Sequence, residues 1–242
     1  ACPNFTNHPQ GDPLGGCLTD ATQQYNQIQP RQETLNLFGR ATFQLNNDWQ
    51  AYVELNGYHS DSESWSTPSG VSASVGYPGG PVNNAPVSLG ASHPDNPYFG
   101  SAARVRYLAW DVGPRISNIE SNFFRAVAGL KGQAAGWDID SAVLFSQNKV
   151  KNDRSGYIQR DVAFALLNPT AANVAAARAG SAAYAGLPAG TYWRIGENAG
   201  LNSQAVYDAL SPMISNDATT SVAVADVKAS REIGQLPGGA IG

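Results

Sequence analysis

The chain has 242 residues, 42% of them hydrophobic and only 14% charged, with a net charge of -4. That length allows one large domain or two small ones, and the charge content lies well under the roughly 25% usual for soluble domains. Scattered Lys and Arg leave no basic footprint for nucleic acid, and no apolar run approaches the ~18 residues of a membrane helix.

Residues 1–32 read as irregular. Cys2 and Cys17 are the only cysteines, and 14 residues separate them in a stretch rich in Pro, Gly and Asn. A disulfide between them is expected in an oxidising compartment, because two exposed loop thiols would be reactive. With no histidine beside them they make a poor zinc site. Both chain ends read as cut from something longer: the first residue is Ala1, and the last stretch, "REIGQLPGGAIG", stops after a turn-like cluster.

The stretch "LNLFGRATFQLNNDWQAYVEL" alternates with period two. Leu35, Leu37, Gly39, Ala41, Phe43 and Leu45 form one set, against Asn36, Phe38, Arg40, Thr42 and Gln44. After "NNDW", Ala51, Val53 and Leu55 alternate with Tyr52, Glu54 and Asn56. Strict alternation with a polar break predicts a hairpin, with strands over 33–45 and 50–60. Its apolar face is suited either to a soluble core or to lipid.

Residues 61–102 are dense in turn formers and read as a long loop. A short alternation follows near 104–110 and ends at a Gly-Pro break. Strands are next expected over 118–131 and 137–150, joined by "GQAAG". Phe124, Ala126, Ala128 and Leu130 share one face of the first; Trp137, Ile139, Val143 and Phe145 share one face of the second, with Ser141 the exception. The opposite faces carry Asn122 or Arg125, and Asp138 or Asp140. Residues 151–218 form a second long connection with helical pieces at "RDVAFALL", "AANVAAARAGSAAYA" and "SQAVYDAL". A last strand is expected over 219–232, before a turn near 234–239.

Short turns thus alternate with very long connections, 61–117 and 151–218. A transmembrane barrel has this rhythm, with short periplasmic turns and long extracellular loops, whereas loops beyond about 15 residues are uncommon in compact domains. Placing the short turns on one side makes all predicted strands alternate in direction. Residues 104–110 then lie within an extracellular excursion, and the cysteines fall on the oxidising side.

Enzyme-like patterns carry little weight. "SQNK" (Ser146 to Lys149) matches S-x-x-K, but that chemistry needs a helix, and on a strand residues three apart point to opposite faces. Ser92, His93 and Asp95 are neighbours in "SHPDNP", whereas triads are assembled from separate parts of a fold; Pro94 and Pro97 make a rigid turn the simpler reading. Glu54, Asp138 and Asp140 can be read as an acid/base set, or as lumen-facing carboxylates. His8, His59 and His93 lie far apart, so no metal site is expected. Trp49 and Trp137 stand beside the short turns, where a membrane-interface girdle would lie. Arg40, Tyr52 and Glu54 are the candidates for a polar lumen, with Tyr58 beside them. Trp65, Tyr77, Tyr98, Tyr184 and Trp193 are loop aromatics open to ligand contact.

The segments "ETLNLFGRATFQLNNDWQAYVELNGY", "HPDNPYFG", "YLAWDVGPR", "FRAVAGLKGQAAGWDIDSAVLFSQNK", "GLNSQAVYDALSP" and "KASREIGQLPGG", taken in this order, resemble the barrel part of TonB-dependent outer-membrane receptors, in particular the Oar-like proteobacterial group. The resemblance implies an all-β fold: about five antiparallel strands of a barrel of about 22, with extracellular loops at 1–32, 61–117 and 151–218 and barrel strands at 33–60, 118–150 and 219–232. It implies a non-enzymatic receptor in the bacterial outer membrane that binds and imports a scarce ligand such as a siderophore, haem, a vitamin, an oligosaccharide or a peptide. Its partners would be outer-membrane lipid and the TonB complex, the latter through an N-terminal part that this sequence lacks along with the plug. No cofactor is expected. The alternatives are a secreted β-rich serine hydrolase or esterase and a soluble β-sandwich carbohydrate-binding module.

Overall fold

In the computed structural model, residues 24–71 and 87–241 are described; the expected Cys2–Cys17 disulfide, His8 and Tyr77 lie outside them. The chain divides into two compact units. One, the sheet unit, comprises 31–62, 118–152 and 216–242; the other, the loop unit, comprises 1–30, 63–117 and 153–215.

Strands β1 (Arg31–Gln44), β2 (Trp49–Ser66), β7 (Arg115–Ala134), β8 (Trp137–Ser155) and β9 (Ile214–Ser230) form a five-stranded sheet. Their order in the sheet is β1-β2-β7-β8-β9, the order of the chain, with β1 and β9 at the edges. All five strands expected from alternation are present. They run longer than expected: β2 continues to Ser66, β7 begins at Arg115, β8 continues to Ser155, and β9 spans Ile214–Ser230 rather than 219–232. The reason is that backbone pairing needs no apolar side chain, so the ladder outlasts the alternation that announced it.

Cross-strand contacts fix an antiparallel register. Trp49 lies against Gly132, Tyr52 against Gly129, and His59 Nδ1 is 2.7 Å from Asn122 Oδ1. As β2 advances, its partner on β7 recedes by the same step. Lys131 with Asp140 ties β7 to β8, and Gln147 with Ser221 ties β8 to β9.

This register gathers the apolar sets of four strands on one face. The band runs from Leu35 to Phe43, from Trp49 to Gly57, from Phe124 to Gly132 and from Trp137 to Phe145, nine residues on each strand. Leu35, Leu37, Phe43, Val53, Leu55, Phe124, Leu130, Val143 and Phe145 are between 38% and 67% exposed, so no second layer covers them. Just past the band the same face becomes polar, at Glu33, His59, Asn122 and Lys149. Asn122 therefore stands with the apolar set's extension; of the pair weighed for the opposite face, Arg125 alone is there. The split does not extend to β9, whose Val222, Val224 and Val227 are all exposed.

The hairpin between β7 and β8 turns on two residues, Ala135 and Gly136, both at positive φ (52° and 79°). That is the geometry of the two-residue turns whose twist matches paired strands. A small hairpin of β10 (Gly234–Leu236) and β11 (Gly239–Ile241) follows β9.

The loop unit has its own core. Short strands β3 (Gly70–Val71) and β6 (Tyr107–Leu108) pair, as do β4 (Ser88–Leu89) and β5 (Ala103–Arg104). Helices form at the expected pieces: α1 (Arg160–Leu167), α2 (Ala171–Gly180), α3 (Ala182–Ala185) and α4 (Gln204–Leu210). Helix α1 buries Val162, Ala163, Ala165, Leu166 and Leu167. A helix apolar around most of its circumference belongs in an interior, and α1 packs with Val71, Val87, Leu89, Ile158, Trp193 and Leu210. Trp193 is fully buried, which removes it from the loop aromatics open to ligand.

Candidate functional site

Arg40, Tyr52 and Glu54 come together on the face of the sheet opposite the apolar band. β1 supplies Arg40, and the neighbouring β2 supplies the other two at alternate positions, which share a face. The Arg40 guanidinium carbon lies 5.1 Å from the Tyr52 ring centre, and its Nη1 is 3.2 Å from Glu54 Oε1. β7 adds two cations at its own alternate positions. Arg125 Nη1 reaches Glu54 Oε2 at 3.7 Å, and Lys131 Nζ lies 5.8 Å from the Tyr52 ring centre. Lys131 also pairs with Asp140 of β8 at 3.0 Å.

One carboxylate thus sits between two guanidiniums, and one phenol ring sits between two cations. A cation over an aromatic face within about 6 Å is attracted by the ring quadrupole. Tyr52 is buried at 9% exposure because Gly129 beneath it carries no side chain. The cluster is an array of alternating charge, with Arg40, Arg125 and Lys131 partly open to solvent, and can hold a polar partner of mixed charge. Parity alone did not bring Arg125 and Lys131 to Tyr52 and Glu54; that needs the cross-strand register, which was not visible in the sequence.

The enzyme-like patterns do not assemble a catalytic set. Ser146 and Lys149 lie on strand β8, with no helix to bring them together. In "SHPDNP", His93 is fully buried and both ring nitrogens are occupied by backbone groups. Its Nδ1 accepts from Asp95 N–H (3.1 Å), so Nε2 carries the proton and donates to the Trp193 carbonyl (3.1 Å). Burial pushes the His93 pKa below its ordinary value, which keeps the ring neutral. Ser92 Oγ instead neighbours the Tyr192 hydroxyl at 3.3 Å.

Asp95 is a clamp. Its carboxylate accepts from Arg194 Nε (3.0 Å to each oxygen), from Ile195 N–H (2.9 Å) and from Asn198 Nδ2 (2.7 Å). Burial alone would raise its pKa; the Arg194, Ile195 and Asn198 bonds outweigh that and hold it below the usual carboxylate range. Asp111 extends the network, accepting from Tyr107 Oη (2.7 Å) and Trp193 Nε1 (2.9 Å). These bonds lock the two long connections into one packed body. The turn residues of "SHPDNP" flagged a rigid corner; nothing local pointed to Arg194 or Asp111 as its partners. Among the described residues no cluster of His, Cys, Asp and Glu fit to hold a metal ion occurs.

No family model, curated protein or solved structure matches the chain.

Proposed function

We propose that this chain is part of the wall and surface loops of a TonB-dependent outer-membrane receptor, one that binds a scarce ligand outside the cell and imports it. The observation that carries the proposal is the exposed apolar band. Nine residues per strand is what a tilted strand needs to cross the hydrocarbon core, about 9–11. Trp49 and Trp137 stand at the short-turn end of the band, as interfacial aromatics do. At the other end the face turns polar at Glu33, His59, Asn122 and Lys149. Water is a costly neighbour for such a continuous apolar surface; lipid is not.

The opposite face, with Arg40, Tyr52, Glu54, Arg125 and Lys131, takes the place of a polar lumen. Short turns and long connections alternate along the five strands, so both long connections leave the sheet at the same ends. Against a soluble sandwich stands the exposure of Leu37, Leu55 and Phe124, which a second sheet would cover. Against a serine hydrolase stands the backbone occupancy of both His93 nitrogens. The chain's part is structural and recognitive, not catalytic. Import itself would draw on the TonB complex, and the ligand belongs to the class of siderophores, haem, vitamins, oligosaccharides or peptides.

Fractionation tests this directly. The protein in native membranes should sediment with the bacterial outer membrane, resist alkaline carbonate and dissolve in detergent. Recovery from the soluble fraction would contradict the proposal.

A further inference from the structure

The loop unit holds a cleft of about 250 Å³ that the clamp network does not use. Helix α2 contributes Val174 and Arg178, one turn apart and therefore on the same helix face. Tyr184 of α3 and Leu187, Pro188 and Pro169 complete most of the wall. The cleft is preformed. Ser181 Oγ accepts from Tyr184 N–H (3.2 Å), Leu187 N–H donates to the Tyr184 carbonyl (3.0 Å), and Thr191 donates both its N–H (3.3 Å) and its hydroxyl (2.7 Å) to the Pro188 carbonyl. Gly190 takes φ of 80° to let the chain turn there.

Two of the lining residues, Arg178 and Tyr184, carry polar groups without a protein partner among the described residues. Arg178 makes no ion pair or hydrogen bond, although elsewhere in the same unit Arg194 and Arg160 both pair with carboxylates. The Tyr184 hydroxyl is likewise unbonded, and burial raises its pKa, so it remains a neutral donor. A guanidinium fork and a phenol donor lining one cleft suit the two oxygens of a carboxylate. One cation is the right charge for a monoanion. The volume lies below the 300–1,000 Å³ of drug-sized pockets; Val174, Leu187, Pro169 and Pro188 give the wall its apolar patch, and Thr191 lines the rest with its hydroxyl donated to the Pro188 carbonyl.

We propose that the cleft between α2 and α3, with Arg178 and the Tyr184 hydroxyl at its polar end, binds a small monocarboxylate with a compact apolar body. The reading deepens the receptor proposal, on which it rests for the biological use of binding. The ligand's carboxylate accepts from Arg178 and Tyr184, and its apolar part lies against Val174, Leu187 and the prolines.

The test is calorimetric titration of the full chain in detergent with benzoate, and with benzamide as the uncharged control. Saturable benzoate binding is expected, at least ten times tighter than benzamide. Arg178→Gln should weaken it tenfold or more, and Tyr184→Phe several-fold. Arg178 is exposed and unpaired, so its replacement leaves the fold intact, which the circular dichroism spectrum will register. Absence of saturable binding, equal binding of benzamide, or unchanged binding in Arg178→Gln overturns the proposal. Carbonate-resistant membrane association, measured on the native membranes before solubilisation, reports separately: binding without it contradicts the receptor reading alone, and membrane association without binding contradicts the cleft alone.

Discussion

The ring of Tyr52 fills the space that Gly129 leaves on the adjacent strand: a Cβ at Gly129 would lie 2.3 Å from Tyr52 Cζ. The device repeats on the other face, where a Cβ at Gly132 would lie 2.5 Å from Trp49 Cδ2. Strand glycines usually weaken a sheet; here each lets a cross-strand aromatic fold over bare backbone, the rescue used to support glycines in curved sheets. Gly129→Ala is therefore expected to cost about 1–3 kcal/mol by overpacking, and to displace Tyr52 from Arg40 and Lys131. Gly57→Ala, where nothing lies within 4 Å, is the control and should fall within about 0.5 kcal/mol of the parent. Denaturant midpoints in detergent decide between them.

Ala135 occupies the left-handed region with φ of 52° in the turn between β7 and β8. A side chain there costs roughly 1–2 kcal/mol, and asparagine before glycine is the preferred pair for such a turn. Ala135→Asn should stabilise the hairpin by about 1 kcal/mol or less. A lower unfolding midpoint in this variant would show that the turn takes another form.

Asp95 is nearly enclosed, with 5% of its side chain exposed, and gathers Arg194, Ile195 and Asn198. Asp95→Ala strands the Arg194 charge, and breaking such a pair costs about 3 kcal/mol. The loss should be local. Hydrogen exchange should quicken at Ile195 and Asn198 in the loop unit while the β2–β7 ladder keeps its protection.

His93 gives the loop unit an acid-sensitive step. Its folded pKa is depressed by burial, so below the unfolded value of about 6.5 the unfolded chain binds a proton that the native ring does not. Stability from this group is full above that value and falls as the pH drops toward the folded pKa. Asp95, also depressed, adds a second loss only below about pH 4. Loop-unit stability should therefore decline as the pH falls below about 6.5, and His93→Gln should flatten that slope. A slope unchanged in His93→Gln would assign the step to another group.

The strands and helices were legible because each carries its own period. Alternation around Leu35–Leu45 and Phe124–Leu130 marked the sheet, and "RDVAFALL" marked α1. What the sequence hid was pairing at a distance. His93 meets Trp193 across one hundred residues, and Asp95 meets Arg194 across ninety-nine. No local pattern distinguishes a buried Trp193 from an exposed ligand-binding tryptophan. Strand ends were misjudged for a related reason: polar residues such as Asp61 and Glu63 continue β2 with no alternation to announce them. In the polar cluster, Arg40, Tyr52 and Glu54 could be chosen by parity, yet the two arms from β7 needed the register.

The central claim is that one face of this sheet meets lipid. Spin labels placed singly along β2 and β7 in a Cys2→Ser/Cys17→Ser background, in reconstituted membranes, test it most directly. Collision with oxygen, which concentrates in lipid, should be high at positions 53, 55, 126 and 128 and low at 52, 54, 125 and 127, alternating residue by residue. Collision with a water-soluble nickel complex should be low at the first set. High nickel accessibility at positions 53, 55, 126 and 128, or no alternation with oxygen, would contradict the account.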